Sequence, residues 1–143
     1  MEKFAFILHP LSLQDMEHLS PLMRYIPDPI IEACLKMKKP FKVSHITGIK
    51  SPYAEAEGWF IGCPLTAKQM VELPEEFVMD SIIESGKVAQ ELGAKIVGLG
   101  AFTSIVGDAG ITVAKNLDIA VTSGNSYTVA TAIQGIKQAA RMM

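Results

Sequence analysis

KIVGLGAFTSIVGDAGITVAKNLDIAVTSGNSYT, from Lys95 to Thr128, is the stretch whose reading decides the fold. It opens on a short apolar run, Lys95 to Leu99. A loop of small residues follows, Gly100 to Gly110. A second apolar run, Ile119 to Val121, leads into Thr122-Ser123-Gly124-Asn125-Ser126, a turn that opens a helix. Two strand ends that each run into a polar loop of small residues are how an open α/β sheet builds a binding crevice. A ligand is therefore expected at these two loops.

Just upstream lies the strongest helix signal, Pro74 to Leu92. Pro74 suits a helix start, Glu75 and Glu76 sit at the positive end of the dipole, and Gly93 suits the C-terminal cap. Val78, Ile82, Ser85, Ala89 and Leu92 fall on one face. Gly86 costs roughly 1 kcal/mol against Ala inside a helix, so close packing is the expected reason for it. A helix feeding Lys95 to Leu99 is the back half of a βαβ unit. Downstream, Val129, Ile133, Ile136, Ala140 and Met143 form the apolar face of a final helix capped by Ser123 or Asn125. This helix reaches the last residue with no C-terminal cap. That pattern fits a fragment, a docking surface for another subunit in a homo-oligomer, or a protein that simply ends on a helix.

Toward the N-terminus, Phe4 to Leu8 is a continuous apolar run closed by His9-Pro10 and reads as a buried strand. Ser12 is placed to cap a helix from Leu13 to about Met23, interrupted at Pro21. Pro27-Asp28-Pro29 reads as a turn. Ile30 to Met37 reads as a short helix with a basic end. Phe41 to Ile46 alternates as a strand, Gly48 to Glu57 is a polar connection, and Gly58 to Cys63 is the next strand, giving a hairpin with a long loop. Thr66 to Val71 reads as one helical turn.

The 143 residues suit one domain with a real core. The formal net charge is −2 and the Lys and Arg residues are scattered, so no basic stripe for nucleic acid is present. No apolar run approaches the roughly 20 residues that span a bilayer. The N-terminal apolar run is too short for a signal-peptide core. Two cysteines without an export signal read as free thiols in a reducing cytoplasm. His, Cys and Asp show no metal-site spacing.

Several residues carry potential chemistry. Gly98-Leu99-Gly100-Ala101-Phe102-Thr103 nearly matches the dinucleotide fingerprint and Asp118 follows at a suitable distance. No helix opens directly after it, so it is not read as a cofactor loop. Ser123, Gly124, Asn125 and Ser126 offer backbone amides and hydroxyls to a carboxylate or phosphate, although Ser and Asn are also ordinary helix caps. Gly100, Phe102, Thr103 and Ser104 add a neighbouring strand end. His9 closes the first strand at the same edge if the strands are parallel, either as an acid-base group or as a cap. His18 and His45 read as isolated. Cys63 reads as buried and inert. Glu55 and Glu57 read as solvated loop residues rather than a catalytic acid pair.

The HP-L-SL opening (His9, Pro10, Leu11, Ser12, Leu13), LGAFTSI (Leu99 to Ile105) and TSGNSYTVA (Thr122 to Ala130) resemble the N-terminal region of the long-chain acyl-(acyl-carrier-protein) reductases and their relatives, the predicted amino acid or shikimate dehydrogenase-like proteins. The resemblance implies a substrate-side lobe, residues 1–143, of a two-lobe oxidoreductase. The following Rossmann lobe, which carries NAD or NADP, would be absent from this chain, and the chain alone would bind no cofactor. Neither Cys34 nor Cys63 can inherit the family's acyl-accepting nucleophile, which lies further along. The partner is then the Rossmann lobe, and the substrate a small molecule or acyl group. The competing expectation is a stand-alone small-anion-binding or regulatory module. Either way the expected fold is a single α/β domain with a mixed, mostly parallel sheet and helices on both faces, a three-layer α/β/α arrangement.

Overall fold

Strand β1 (Glu2–Leu8) lies at the centre of the sheet, which is ordered β2-β3-β1-β4-β5. It pairs in parallel with β3 (Glu55–Gly62) on one side and β4 (Ile96–Leu99) on the other. β5 (Ala120–Thr122) adds in parallel to β4, and β2 (Phe41–Lys50) runs antiparallel along the outer edge of β3. This computed structural model describes residues 1–17 and 24–142. The chain is a single α/β domain with a mixed, mostly parallel five-stranded sheet and helices, as expected, and is consistent with a three-layer α/β/α fold.

Strand alternation sorts the side chains onto two unequal faces. On one face Ala5, Ile7, Trp59, Ile61, Val97 and Leu99 are buried in a single core. Helix α4 (Glu75–Glu91) covers that face, with Val78, Ile82, Ser85 and Ala89 wholly inaccessible, as their spacing predicts. Gly86 faces the Leu117 side chain so closely that a Cβ would collide with it, which explains the mid-helix glycine. Ser85 returns its hydroxyl to the Ser81 carbonyl at 2.8 Å. Helix α5 (Ile111–Lys115) packs its buried Val113 into the same core.

The opposite face is paved with aromatic rings lying over glycines. Phe4 covers Gly58, Phe6 covers Gly98 and Gly100, and Phe41 leans on Gly62. Phe6 also meets Phe60 edge to face at 6.4 Å. This face remains partly open to solvent, the Phe6 ring at 38% and the Leu8 side chain at 36% exposure.

The connections differ from expectation in definite ways. β2 extends to Lys50 and β3 begins at Glu55, so the hairpin loop is short. The Ser51 hydroxyl closes it by accepting the Tyr53 and Ala54 amides at 3.2 and 3.0 Å. Two register shifts in the pairing absorb the extra residues of β2. Pro27-Asp28-Pro29 is not a separate turn. Pro27 is the N-cap of helix α2 (Asp28–Met37), and Pro29 sits in its first turn, where no backbone donor is required. Ser12 does not cap with its hydroxyl. Its amide and that of Leu11 donate to the Asp15 carboxylate at 3.0 and 2.9 Å, opening the short α1 (Gln14–Glu17). The remainder of the helix expected to Met23, with His18 and Pro21, lies outside the described residues, as does Met143. Thr66 and Gln69 cap each other at the start of α3 (Ala67–Glu72).

Glu55 and Glu57 stand on β3 rather than in a loop. Glu57 joins Lys3 at 3.3 Å and His45 at 3.1 Å, and the His45 ring stacks on Trp59 at 5.4 Å, so His45 is not isolated. Burial would raise the Glu57 pKa, but the hydrogen bonds and positive charge of Lys3 and His45 outweigh it and hold the carboxyl below its ordinary value.

A folded-state pKa below the unfolded value gives stability at neutral pH that disappears as pH falls through the lowered value. Glu57→Gln is therefore expected to lose the part of the acid-side decline in Tm below about pH 4.3 that this carboxylate supplies. Superimposable Tm–pH curves would show that the cluster contributes nothing to folding. Gly58→Ala places a methyl group 2.7 Å from the Phe4 carbonyl oxygen as well as in its ring, so backbone must shift. A loss of about 1–3 kcal/mol in urea unfolding is expected. Gly135→Ala, with open space around its Cβ, should show no loss.

Candidate functional site at the carboxyl edge of the sheet

Chain direction fixes where a crevice opens. From β1 the chain leaves toward β3, and from β4 it leaves toward β5, so the strand order reverses between β1 and β4. In open α/β sheets, ligands bind outside the carboxyl ends of the strands at such a reversal. The residues that follow these two strands are His9 and Gly100 to Ser104.

The structure brings them into contact. The Phe102 amide donates to His9 Nε2 at 3.2 Å. That bond requires the Nδ1–H tautomer, and Nδ1 lies 3.0 Å from the Pro10 carbonyl oxygen. The two rings meet edge to face at 5.9 Å. Both imidazole nitrogens are thus engaged, which holds His9 fixed against the start of the 101–104 turn in this conformation. It acts on a ligand only if the Phe102 bond opens.

Gly100 bonds back to the Ile7 carbonyl at 3.2 Å, and the chain then turns through a 3-10 helix, Ala101–Ser104. This turn explains the rejected fingerprint physically. No α-helix N-terminus lies under the Gly98-Leu99-Gly100 run, and the Phe6 ring covers both glycines. These residues do not form a dinucleotide cradle. Ala101 has φ +48°, the left-handed region that a residue with a Cβ seldom adopts. Such strain often marks functional loops.

The expected hydroxyls divide in two. Thr103 is buried and gives its hydroxyl to the Gly100 carbonyl at 2.7 Å, so it shapes the turn and does not face a ligand. Ser104 bonds the Ala101 carbonyl at 2.7 Å near the surface. Ser123, Gly124, Asn125 and Ser126 follow β5, whose Thr122 pairs with Gly98, so their loop is next along the edge. Neither Ser123 nor Asn125 caps the final helix with its side chain. Asn125 is already the first residue of α6 (Asn125–Met142), and Gly124, at φ +76°, holds the position before it. The Gly124 carbonyl accepts the Tyr127 and Thr128 amides, both at 3.1 Å.

Asp108 is a loop organiser that sequence reasoning missed. Its carboxylate accepts the Thr112 amide at 2.9 Å and the Thr112 hydroxyl at 2.7 Å. The amide first, then the hydroxyl, holds this carboxyl below its ordinary pKa. The signal was an Asp four residues before a Thr at a helix start. Two cavities also open near the ends of β1 and β3. One, of about 470 Å³, is polar and lined by Ser12, Gln14, Arg24, Asp28, Glu32 and Lys68 among others. Lys68 lies 3.2 Å from Glu32, and that contact holds its pKa above the ordinary value. The other, of about 180 Å³, is apolar, with His9, Leu35, Phe41, Val43 and Cys63 in its wall. Burial pushes the Cys63 thiol pKa up against the opposing Ser81 contact at 3.4 Å, which fits the inert role expected of it. Cys34 is exposed.

No protein-family model matches this sequence. The chain is similar to aminotransferase PigE of Serratia sp. (strain ATCC 39006), with 34% identity over 97 residues. The matched stretch covers 68% of this chain and 11% of that protein, so the chain spans about a tenth of the length of the curated relative it matches.

His9→Ala removes the acceptor of the Phe102 amide without touching the core. Hydrogen exchange at Phe102 is expected to accelerate while far-UV circular dichroism stays the same. Unchanged protection at Phe102 would show that the imidazole does not hold the turn.

Proposed function

We propose that this chain is the substrate-side lobe of a larger oxidoreductase and is not catalytic alone. The observation that carries the reading is the meeting of His9 with the Phe102 amide at the reversal of strand order, beside the Ser123–Ser126 loop. This edge offers what a polar carbonyl compound needs for orientation: the exposed Asn125 and Ser126 amides, the Ser126 hydroxyl and an imidazole wall. Of the two cysteines, Cys63 is buried and Cys34 stands exposed on α2, and neither belongs to the loops 100–104 or 123–126. A lobe of this kind binds and orients, and the reacting group comes from elsewhere.

The resemblance of the sequence motifs to the acyl reductase and shikimate dehydrogenase-like proteins favours an acyl or small hydroxy, amino or keto acid substrate. On that reading NAD or NADP belongs to a Rossmann lobe, and the whole enzyme works in the cytoplasm. The similarity to one tenth of a much longer aminotransferase favours a lobe within a large polypeptide over an independent module. It also leaves amino-group transfer as an alternative chemistry for the whole protein.

A second reading rests on the first turn of α6. The Asn125 and Ser126 amides precede the first helical acceptor bonds, and both residues are exposed beside Gly124. A small anion held there would make this chain a binding module in its own right.

The discriminating experiment is a titration of the isotope-labelled chain with pyruvate, acetyl thioester and inorganic phosphate, read by amide chemical shifts. The substrate-lobe reading expects weak shifts from the carbonyl compounds that include 100–104 together with 123–126. Saturable shifts from phosphate confined to 123–126 would favour the anion module. Carbonyl shifts confined to the polar cavity lined by Arg24 and Lys68 would overturn both.

A further inference from the structure

We propose that the final helix of one chain packs on the aromatic–glycine face of a second copy, so that two chains exchange α6. Two apolar surfaces stand without a covering partner in the described structure. One is the open sheet face with Phe6, Leu8 and Ile96, each exposed by more than a third. The other is the stripe of Val129, Ile133 and Ile136 on α6. None of the described residues of α6 is buried, although it is 18 residues long. An isolated helix of that length is marginal in water, and this one contains two threonines, Thr128 and Thr131, and Gly135. Its stability must therefore come from a surface that covers the stripe.

The two surfaces match in dimension and charge. A crossover helix runs back antiparallel to the strands. Eight residues along α6, Ile133 lies about 12 Å from Asn125. Phe4, paired with Ile96, lies about 13 Å from Leu8 along β1. Helix residue Lys137 is about 18 Å along, and Glu2 about 20 Å along its strand. Alternation puts Glu2 on the same face as Phe4 and Phe6. Placed this way, the stripe covers Leu8, Phe6 and Ile96, and Lys137 and Arg141 come to Glu2. Among the described residues none of these three charges has an ion-pair partner. The glycines under the rings keep the face flat, which allows a helix to approach closely. Gly124, at φ +76° with open space around it, is the joint at which α6 leaves its own sheet. Exchange of an identical element through such a joint is a low-cost route to a dimer.

The test is light-scattering mass of the full chain across a concentration series, followed by cross-linking. A concentration-dependent mass of two chains is expected for the unaltered protein. Ile133→Asp with Ile136→Asp should return it to one chain with unchanged melting of the sheet core, since neither side chain is buried within the chain. For the contact itself, chains carrying Ile96→Cys and chains carrying Ile133→Cys, both with Cys34→Ser, are mixed and oxidised with copper phenanthroline. A mixed disulfide dimer is expected. A single-chain mass at every concentration overturns the proposal. So does a dimer that gives no mixed disulfide, because the helices then pair with each other. So does a single chain carrying both cysteines that closes on itself while staying monomeric, because α6 then covers its own sheet.

Discussion

Parallel pairing of β1 with both β3 and β4 is the constraint on which the remaining features depend. A strand with parallel neighbours on both sides has no edge of its own, so its run of Phe4 to Leu8 can be apolar without interruption. Because parallel neighbours need crossover connections, β3 must be followed by a helix long enough to cross β1 and deliver β4. That helix is α4, and it buries the Ala5–Ile7 face. The same pairing brings the end of β1 level with the end of β4. His9 and Phe102 meet for that reason, 93 positions apart in the sequence.

The two faces of the sheet solve the packing problem differently. Toward α4, branched aliphatic side chains interlock around Ile7, Ile61 and Val97. On the other side, phenyl rings lie over neighbouring backbone where glycine leaves room. A Cβ at Gly58 or Gly100 would strike a carbonyl oxygen of β1 as well as a ring, so the glycines and phenylalanines are a matched set. Ring-over-glycine packing makes a thin, smooth layer. It satisfies the sheet locally while leaving apolar area in reach of solvent.

Regions governed by periodicity were legible in the sequence. The buried face of α4, the strands β1, β3 and β4, and the α/β class follow from spacing and caps. The hairpin was misread because its strands run through Gly48 and two register shifts, which break the alternation that reports a strand. Helix α5 is five residues long and carries too little pattern to announce itself. At the candidate site, the neighbourhood of the two loops was legible from their matching composition. The direction of each hydroxyl was not. Thr103 and Ser104 are adjacent and alike, yet one is turned inward to the Gly100 carbonyl and the other stays near the surface. That choice is made by the 3-10 turn, which no residue in the stretch specifies by type. Glu57 was misplaced for a similar reason, since its partners Lys3 and His45 come from other strands.

The shifts in β2 have a consequence beyond the hairpin. An outer strand ten residues long would ordinarily invite another chain to add a strand alongside it. Here the ladder is interrupted between Lys42 and Ser44 and again between Ile46 and Ile49, and lysines stand at 42 and 50. At the far side β5 has only three residues. Neither border of the sheet presents a long, regular row of free backbone groups. The molecule is thus guarded against growth in its own plane, and whatever it engages must come to it from above, from below, or at the mouth where the strands end.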